Sequence, residues 1–169
     1  VQTLADSASS YTSEFQTHVG SRNVGVPLLV HRRCSEPMFS VSNRIAYSGL
    51  MVSAKLPKPS AIREILGPSA WIHVEGSGQD KWCREEGDEV IRMLHRLRAA
   101  SAKPDLYVIT PFVIVADRLR QTIRESGVLG GWVSEDEWRW VHARIGTVHT
   151  AQGREAEAVI FVLGAPHPT

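Results

Sequence analysis

The sequence predicts an α/β domain in which a mostly parallel β-sheet carries helices on both faces. Short apolar runs rich in β-branched residues alternate along the chain with segments whose apolar residues recur at helical spacing, which is typical of parallel strands joined by helical crossovers. The last two runs, ARIGTVH and AVIFVLG, are apolar without alternation, which favours strands covered on both faces. A length of 169 residues is enough for one domain of ordinary size.

The first third of the chain predicts a polar lead-in followed by a strand and a helix. Residues 1–25 are rich in Ser, Thr and turn formers, so we interpret them as a connection or a marginal helix before a domain that spans 26–169. VPLLVH (26–31) has the pattern of a short buried strand. After it, Ser35 is placed to cap a helix, with Pro37 in the first turn and Phe39 among the apolar positions.

The rest of the chain predicts alternating strands and helices. AWIHVEG (70–76), DLYVIT (105–110) and the two runs quoted above have the composition of strands. Residues 84–100 and 112–127 each carry an apolar stripe opposite charged residues, and the second helix should stop at Gly127. The Gly- and Trp-rich stretch that follows is interpreted as a surface excursion with a helical turn through 135–140. The two stripes consist of Val90, Leu94 and Leu97, and of Phe112, Ala116, Leu119 and Ile123.

Composition and charge exclude several classes of protein. No apolar run reaches the roughly 18 to 20 residues of a membrane span, and the first residues lack the pattern of an export signal. Cys34 and Cys83 form no CxxC pair, and the seven His residues include no HExxH, so neither a disulfide framework nor a metal site is predicted. A net charge of +1 argues against nonspecific coating of nucleic acid. These features indicate a soluble, cytoplasmic protein without a membrane partner.

One glycine-rich segment superficially resembles a phosphate-binding loop. EGSGQDKW follows a predicted strand and contains Gly76, Gly78 and Lys81. A Walker A loop requires GxxxxGK followed by Ser or Thr, and a dinucleotide fingerprint requires a third glycine where Lys81 stands. Neither pattern is complete, so the segment is interpreted as a flexible connection.

Three polar clusters follow predicted strands. HRRC comes after the first strand, TPF comes after Ile109, and TVHTAQGRE comes after Ile145. Because functional loops of open α/β sheets lie beyond the carboxyl ends of the strands, we expect the three clusters to meet at one edge of the sheet.

These clusters and their flanking residues resemble helicase motifs. LLVHRRCSEPMFSVSNRIAYSGLM resembles L-x-x-Q-Y-R-M-x-x-x-I-x-x-x-x-N-x-x-F-Y, which opens the second RecA-like domain in superfamily 1 helicases of the Upf1/Dna2-like group. LYVITPF resembles the I-x-V-I-T-P-Y strand of that group, and IGTVHTAQGREAEAVIFVLG resembles its motif V, V-x-T-V-D-x-F-Q-G-x-E-x-D-x-V-I-x-S. The matches follow the family order and span about Leu28 to Gly164. Departures are His31-Arg32 for Gln-Tyr, Cys34 for Met and His149 for Asp; Arg33, Gln152, Gly153 and Glu155 stay in register.

The resemblance implies a RecA-like fold of the P-loop NTPase class and a role as the second motor domain of an ATP-dependent DNA or RNA helicase, cut before motif VI. ATP with Mg would be bound mainly by an N-terminal RecA-like domain of the same polypeptide, so the isolated chain should be inactive. The other partner would be single-stranded DNA or RNA. In this reading Arg33 is catalytic, Gln152, Gly153 and Glu155 contact the nucleotide, and Thr110, Thr147 and Thr150 contact the strand.

Other interpretations stay open from the sequence. TVHTAQGRE could be an elaborate helix cap, in which the hydroxyl of Thr147 or Thr150 caps AQGREAEA. The chain could also be a non-enzymatic α/β module that binds nucleic acid or protein. A flavodoxin-like nucleotide-binding domain would need a phosphate loop after the first strand, and HRRCSEP contains no glycine.

Overall fold

The structure is a computed structural model that describes residues 12–25, 29–55 and 58–164. The chain forms two compact units, residues 1–58 and residues 59–169. Its described residues form a mixed α/β protein with four small sheets, two of which are parallel. The predicted α/β class is therefore confirmed. None of the helices in the described ranges is both long enough and apolar enough to cross a membrane.

The first unit begins with an antiparallel hairpin. Strands β1 (Thr12–Thr17) and β2 (Gly20–Gly25) pair in register, and Gly20 has a φ of +116°, a conformation that glycine adopts readily. Residues 1–11 lie outside the described part of the chain. For the remainder of 1–25, the prediction of a connection or marginal helix is wrong.

A short parallel pair with one helical crossover completes the first unit. Strand β3 (Val30–His31) pairs with β4 (Val52–Ser53), and α1 (Met38–Ala46) connects them. Residues 26–28 of the predicted strand lie outside the described residues. The predicted helix is confirmed, but Pro37 occupies the N-cap and no side chain caps the helix, so the proposed capping by Ser35 is wrong. The Asn43 amide exchanges two hydrogen bonds of 2.9 and 3.0 Å with the backbone of Met51, which holds the chain as it returns to β4.

The second unit contains the remaining helices and strands. They are α2 (Ala61–Leu66), β5 (Gly78–Gln79), β6 (Trp82–Cys83), α3 (Arg84–Ala99), β7 (Leu106–Thr110), α4 (Val113–Glu125), α5 (Glu137–Arg144), β8 (Ile145–Thr147), α6 (Val148–Ala151) and β9 (Ala158–Phe161). The predicted helices over 84–100 and 112–127 are α3 and α4, and the predicted turn at 135–140 is the first part of α5. Gly127 has a φ of +66° after α4, as expected for a glycine stop.

The central sheet of this unit is parallel and has the order β8-β7-β9. On β7, Leu106 and Val108 are fully buried and share the core with the apolar stripes of α3 and α4. On the opposite face, Val159 and Phe161 of β9 are 56% and 47% exposed. Helices α3 and α4 therefore cover one face of this sheet, and the other face is partly exposed along β9.

Two other predictions fail in the second unit. Residues 70–76 form no strand, and Trp71 and Ile72 are 78% and 52% exposed because no strand pairs with them. The Gly- and Trp-rich stretch is partly core, since Val128 and Leu129 are fully buried. Arg98 of α3 holds it by donating to the carbonyls of Gly127, Val128 and Gly130.

The segment between α6 and β9 also anchors the first helix of this unit. The Glu157 carboxylate accepts hydrogen bonds from the Ser60 hydroxyl and from the backbone N–H of Ile62, and the Ser60 hydroxyl accepts from the N–H of Arg63. The exposed N–H groups at the start of α2 are thereby satisfied by side chains.

Candidate nucleotide and nucleic-acid site

The central part of the candidate site is the loop that leaves the carboxyl end of β8. Thr147 ends β8 and pairs in register with Thr110 at the end of β7. The chain then turns through α6 and residues 152–157 before it enters β9 beside β7. Two of the three predicted polar clusters, TPF and TVHTAQGRE, therefore do meet at one edge of a parallel sheet. The third, HRRC, belongs to the first unit.

Thr110 does not present its hydroxyl to solvent. Its side chain is fully buried, and its Oγ1 accepts a hydrogen bond from the backbone N–H of Phe112 at 3.4 Å. The prediction that Thr110 contacts a nucleic-acid backbone is therefore wrong for this conformation. Its hydroxyl instead stabilises the turn between β7 and α4.

The hydroxyls of Thr147 and Thr150 differ in their hydrogen bonding. Thr150 is exposed, and its hydroxyl donates to the carbonyl of Thr147 at 2.8 Å. Thr147 is half-buried, and its hydroxyl makes no hydrogen bond with the described residues. Neither hydroxyl accepts a backbone N–H of α6, so the alternative in which this segment is an elaborate helix cap is wrong. Of the two, Thr147 has the hydroxyl proton available for an anionic oxygen.

Gly146 is a residue of this site that the sequence interpretation missed. A Cβ added to it would lie 2.3 Å from the Thr150 hydroxyl oxygen, so only glycine lets Thr150 fold back over the end of β8. Arg120 of α4 stabilises the same strand by donating from Nε and Nη2 to the Ile145 carbonyl at 3.1 and 2.7 Å. A glycine inside a strand pattern can indicate such a close approach. The hydrogen bonds from Arg120 to Ile145 join distant residues, so no local sequence pattern indicates them.

The turn after α6 presents the predicted nucleotide-contacting residues. Gln152, Gly153 and Glu155 are exposed, and the side chains of Gln152 and Glu155 make no hydrogen bond with the described residues. Gly153 has a φ of +83°, and no atom lies within 4 Å of an added Cβ. Glycine is therefore favoured there by backbone conformation.

Arg154 is committed to the protein. Its Nη1 donates to the Ala143 carbonyl at 3.0 Å, which connects the turn to the end of α5. A cavity of about 160 Å³ lies beneath this connection and is lined by Gly146, Thr150 and Arg154 together with Tyr107 and Ile109 of β7. The Arg154 guanidinium thus stabilises the loop rather than extending toward a ligand.

The glycine-rich segment EGSGQDKW packs beside the same edge of the sheet. It forms the β5–β6 hairpin, with Asp80 and Lys81 at positive φ in the turn, so its interpretation as a flexible connection is wrong. The Lys81 ammonium lies 4.1 Å from the centre of the Phe112 ring, and the Lys81 carbonyl would be 2.9 Å from a Cβ on Gly164. The hairpin therefore contacts the residues that follow both β7 and β9.

The acidic start of α3 adjoins this hairpin. Burial raises the pKa of the Glu86 carboxyl above its ordinary value, although it accepts a hydrogen bond from the Gly164 backbone, and its Oε2 makes no hydrogen bond. Burial likewise raises the pKa of the Cys83 thiol, which donates to the Glu85 carboxylate at 3.2 Å. The pKa of Glu85 is lowered, first by its own backbone N–H and then by Cys83. These groups are structural, since each one joins parts of the hairpin to α3 or to the chain after β9.

Arg33 lies in the first unit, in the loop between β3 and α1. Arg32 and Arg33 are both exposed, and neither guanidinium makes an ion pair or hydrogen bond with the described residues. Only the backbone carbonyl of Arg33 is engaged, by the Lys55 ammonium at 2.6 Å. An unpaired, permanently charged arginine is free to bind an anion.

Gln152 and Glu155 present hydrogen-bonding atoms to solvent. Glu155 can accept from a ribose hydroxyl, and Gln152 can both donate and accept. Within the described ranges, no group of three or more His, Cys, Asp or Glu side chains is placed to hold a metal ion. The described residues therefore do not form a magnesium site.

Comparisons of the chain with protein-family models, with curated protein sequences and with solved structures each give no match.

Proposed function

We propose that the chain is the second RecA-like motor domain of an ATP-dependent superfamily 1 helicase. In this role it contributes contacts to a nucleotide and to the backbone of single-stranded DNA or RNA. Chemistry on the nucleotide would require a partner domain that supplies the Walker A lysine and the Walker B carboxylates, because this chain contains neither motif.

The observation that carries the proposal is the coincidence of two motif-like segments with one parallel sheet. LYVITPF supplies β7, and IGTVHTAQGREAEAVIFVLG supplies β8, β9 and the loop between them. The loop opens at the carboxyl ends of the strands, where ligand-binding residues of parallel α/β sheets collect. Motif matches that arose by chance would not be expected to coincide with three neighbouring strands.

The strand contact would be made through the sugar-phosphate backbone. Thr147 has a hydroxyl proton that is not used within the described residues, whereas Thr150 must break its bond to the Thr147 carbonyl before it can donate to a phosphate. Neutral hydroxyls read no base sequence, and the near-neutral net charge favours weak, nonspecific binding. Thr147 is accordingly the residue expected to contribute most.

Two separate sets of residues would act on the nucleotide, Gln152 and Glu155 in the second unit and Arg33 in the first. Glu155 would accept from the ribose, Gln152 would respond to the state of the nucleotide, and Arg33 would stabilise negative charge on the terminal phosphate. A guanidinium keeps its charge and presents a forked pair of donors, which suits charge that grows in a transition state.

The decisive experiment uses the complete polypeptide encoded by the parent reading frame. Arg33→Ala should lower its steady-state ATPase rate by about 10³-fold or more, which is the usual contribution of arginine fingers in related reactions. Arg32→Ala is the matched control, since Arg32 is equally exposed and carries the same charge. Equal, small losses in the two variants would contradict the proposal.

A second measurement separates a motor domain from a non-enzymatic binding module of the same fold. Thr147→Val keeps the shape of the side chain and removes the hydroxyl, so it should weaken binding of labelled oligonucleotides to a similar extent for all sequences. Thr150→Ser is the control, because it retains the hydroxyl. Strand binding by a complete polypeptide that hydrolyses no ATP would favour the binding module, and unchanged affinity of Thr147→Val would remove Thr147 from the site.

A further inference from the structure

The loop between β3 and α1 contains a cysteine–histidine pair that the proposed function does not use. The Cys34 sulfur lies 3.1 Å from Nε2 of His31, and the backbone N–H of Cys34 donates to the same nitrogen at 2.9 Å. Nε2 thus acts as a hydrogen-bond acceptor, and the Cys34 thiol lies within hydrogen-bond distance of it. Nε2 is therefore placed to receive the Cys34 proton.

The pair packs against α1 and is half-buried. The His31 ring packs against Phe39 of α1 with ring centres 5.3 Å apart, and Phe39 is itself buried. Both Cys34 and His31 are half-buried, so each residue is partly exposed to solvent. A small reagent can reach the thiol without unfolding the loop.

The charge around the pair is positive. Arg32 and Arg33 are exposed and unpaired in the part of the chain that the structure describes, and the Lys55 ammonium is bound to the Arg33 carbonyl. Glu36, the nearest acidic residue in sequence, is occupied by hydrogen bonds from the hydroxyl and the backbone N–H of Ser40. Partly exposed cysteines that lie beside cationic groups and a histidine have the surroundings of reactive thiols.

The other cysteine has the opposite surroundings. Cys83 is 1% exposed, its thiol donates to the Glu85 carboxylate, and its pKa is raised by burial. The carboxylates of Glu85 and Glu86 also act on this thiol, and both raise its pKa electrostatically. The chain thus provides an internal control for any reaction of Cys34.

We propose that Cys34 is a thiol–disulfide exchange site selective for small anionic disulfides, of which oxidised glutathione is the representative. The Cys34 S–H bond breaks as His31 Nε2 takes the proton, and the sulfur attacks one sulfur of the disulfide. The old S–S bond breaks, a Cys34 mixed disulfide forms, and the departing thiolate recovers the proton from His31. One disulfide and one thiol are consumed and one of each is formed, so no further oxidant is required. The carboxylates of the reagent are attracted by Arg32 and Arg33.

This reaction needs neither ATP nor nucleic acid, so it stands apart from the proposed function. The experiment incubates the 169-residue chain with oxidised glutathione and follows mixed-disulfide formation at each cysteine by intact mass and peptide mapping. Under native conditions Cys34 should react about tenfold faster than Cys83 or more, and in denaturant the two should react at similar rates. Native rates that are equal would overturn the proposal.

A variant tests the role of His31. His31→Phe keeps an aromatic ring against Phe39 and removes the accepting nitrogen, so the rate at Cys34 should fall about tenfold while the circular dichroism spectrum is unchanged. An unchanged rate would show that His31 only packs and would overturn the assigned proton transfer.

The charge preference is measured independently of folding defects. The native chain should react faster with oxidised glutathione than with cystamine, a cationic disulfide, after each rate is divided by that of the denatured chain. The double variant Arg32→Gln, Arg33→Gln should lose most of that preference while it retains the histidine. Equal normalised rates for the two reagents in the native chain would contradict the assignment of an anionic substrate.

Discussion

Replacing Gly146 by Ala tests the geometry of the candidate loop directly. The added Cβ would lie 2.3 Å from the Thr150 hydroxyl oxygen and 3.4 Å from the Thr150 Cβ. The first distance forces the Thr150 side chain to rotate, and the second is close to ordinary contact. The substitution should therefore act through the hydroxyl alone.

The magnitude follows from what that rotation loses. The bond of 2.8 Å from Thr150 to the Thr147 carbonyl contributes about 1 kcal/mol, and an unfavourable rotamer costs about 1 kcal/mol more. Alanine in place of glycine returns about 0.5 to 1 kcal/mol because it restricts the unfolded chain. Gly146→Ala should thus destabilise the wild type by about 1 kcal/mol. In a Thr150→Ala background it should be neutral or stabilising, so the coupling energy is about 1 to 2 kcal/mol.

Urea unfolding followed by tryptophan fluorescence measures these free energies in the second unit. All five tryptophans lie between Trp71 and Trp140, so the signal reports this unit and not residues 1–58. Gly130→Ala is the matched control, because its nearest contacts of 3.4 and 3.5 Å are ordinary and its effect should add to that of Thr150→Ala. If Gly146→Ala and Thr150→Ala were additive within about 0.3 kcal/mol, the close approach inferred here would be refuted.

Three further predictions concern stability, and the same unfolding experiment measures each of them. Glu86→Gln should abolish a pH-dependent loss of stability. Because the pKa of the Glu86 carboxyl is raised in the folded state, the wild type becomes less stable as pH rises from about 4.5 through the folded pKa. The variant has no carboxyl at this position and should not show this loss. The gain at neutral pH should be less than about 1 kcal/mol since the group is half-buried, and parallel pH profiles would count against it. Leu94→Ala should cost about 2 to 5 kcal/mol because Leu94 is fully buried, whereas Val113→Ala, at a position 66% exposed, should cost about 0.5 kcal/mol or less; similar costs would contradict the described core. Gly153→Ala should cost about 1 kcal/mol for its positive φ and Gly153→Asn less, and a neutral alanine variant would show that the turn has another conformation.

The helices and strands that the sequence predicted correctly are those in which pattern and packing agree. The stripe Val90, Leu94 and Leu97 predicts α3 because helical spacing places all three on the core side, and all three are buried. DLYVIT has the composition of a strand and forms β7, whose Leu106 and Val108 are buried at the centre of the sheet.

The failures occur where long-range contacts decide the structure. AWIHVEG has strand composition but no pairing partner, so Trp71 and Ile72 remain exposed. Val128 and Leu129 show the opposite error. Their Gly-rich context predicts a surface position, but both are buried, and Arg98 donates a hydrogen bond to the Val128 carbonyl. Hydrogen bonds between residues thirty positions apart leave no local pattern.

The same limit applies to the candidate site. The strand pattern predicted that TPF and TVHTAQGRE would meet at one edge of the sheet, and the pairing of Thr110 with Thr147 confirms it. Spacing does not reveal that Thr110 is buried or that the Thr150 proton is already donated to a carbonyl. Residue type and order therefore located the loop, whereas the state of each hydroxyl required the structure.

The strand order β8-β7-β9 has a consequence for how the second unit assembles. β7 lies in the middle, and its two neighbours are both later in sequence, so β7 can pair with β8 while β9 is still absent. Until Ala158–Phe161 arrives, one edge of β7 has unpaired backbone groups and resembles the exposed edges that drive strand-to-strand association. The contact of Glu157 and Ala158 with the Asp105 carbonyl would register the incoming strand at its first residues. A chain interrupted between residues 147 and 158 should therefore expose that edge of β7 and be prone to association through it.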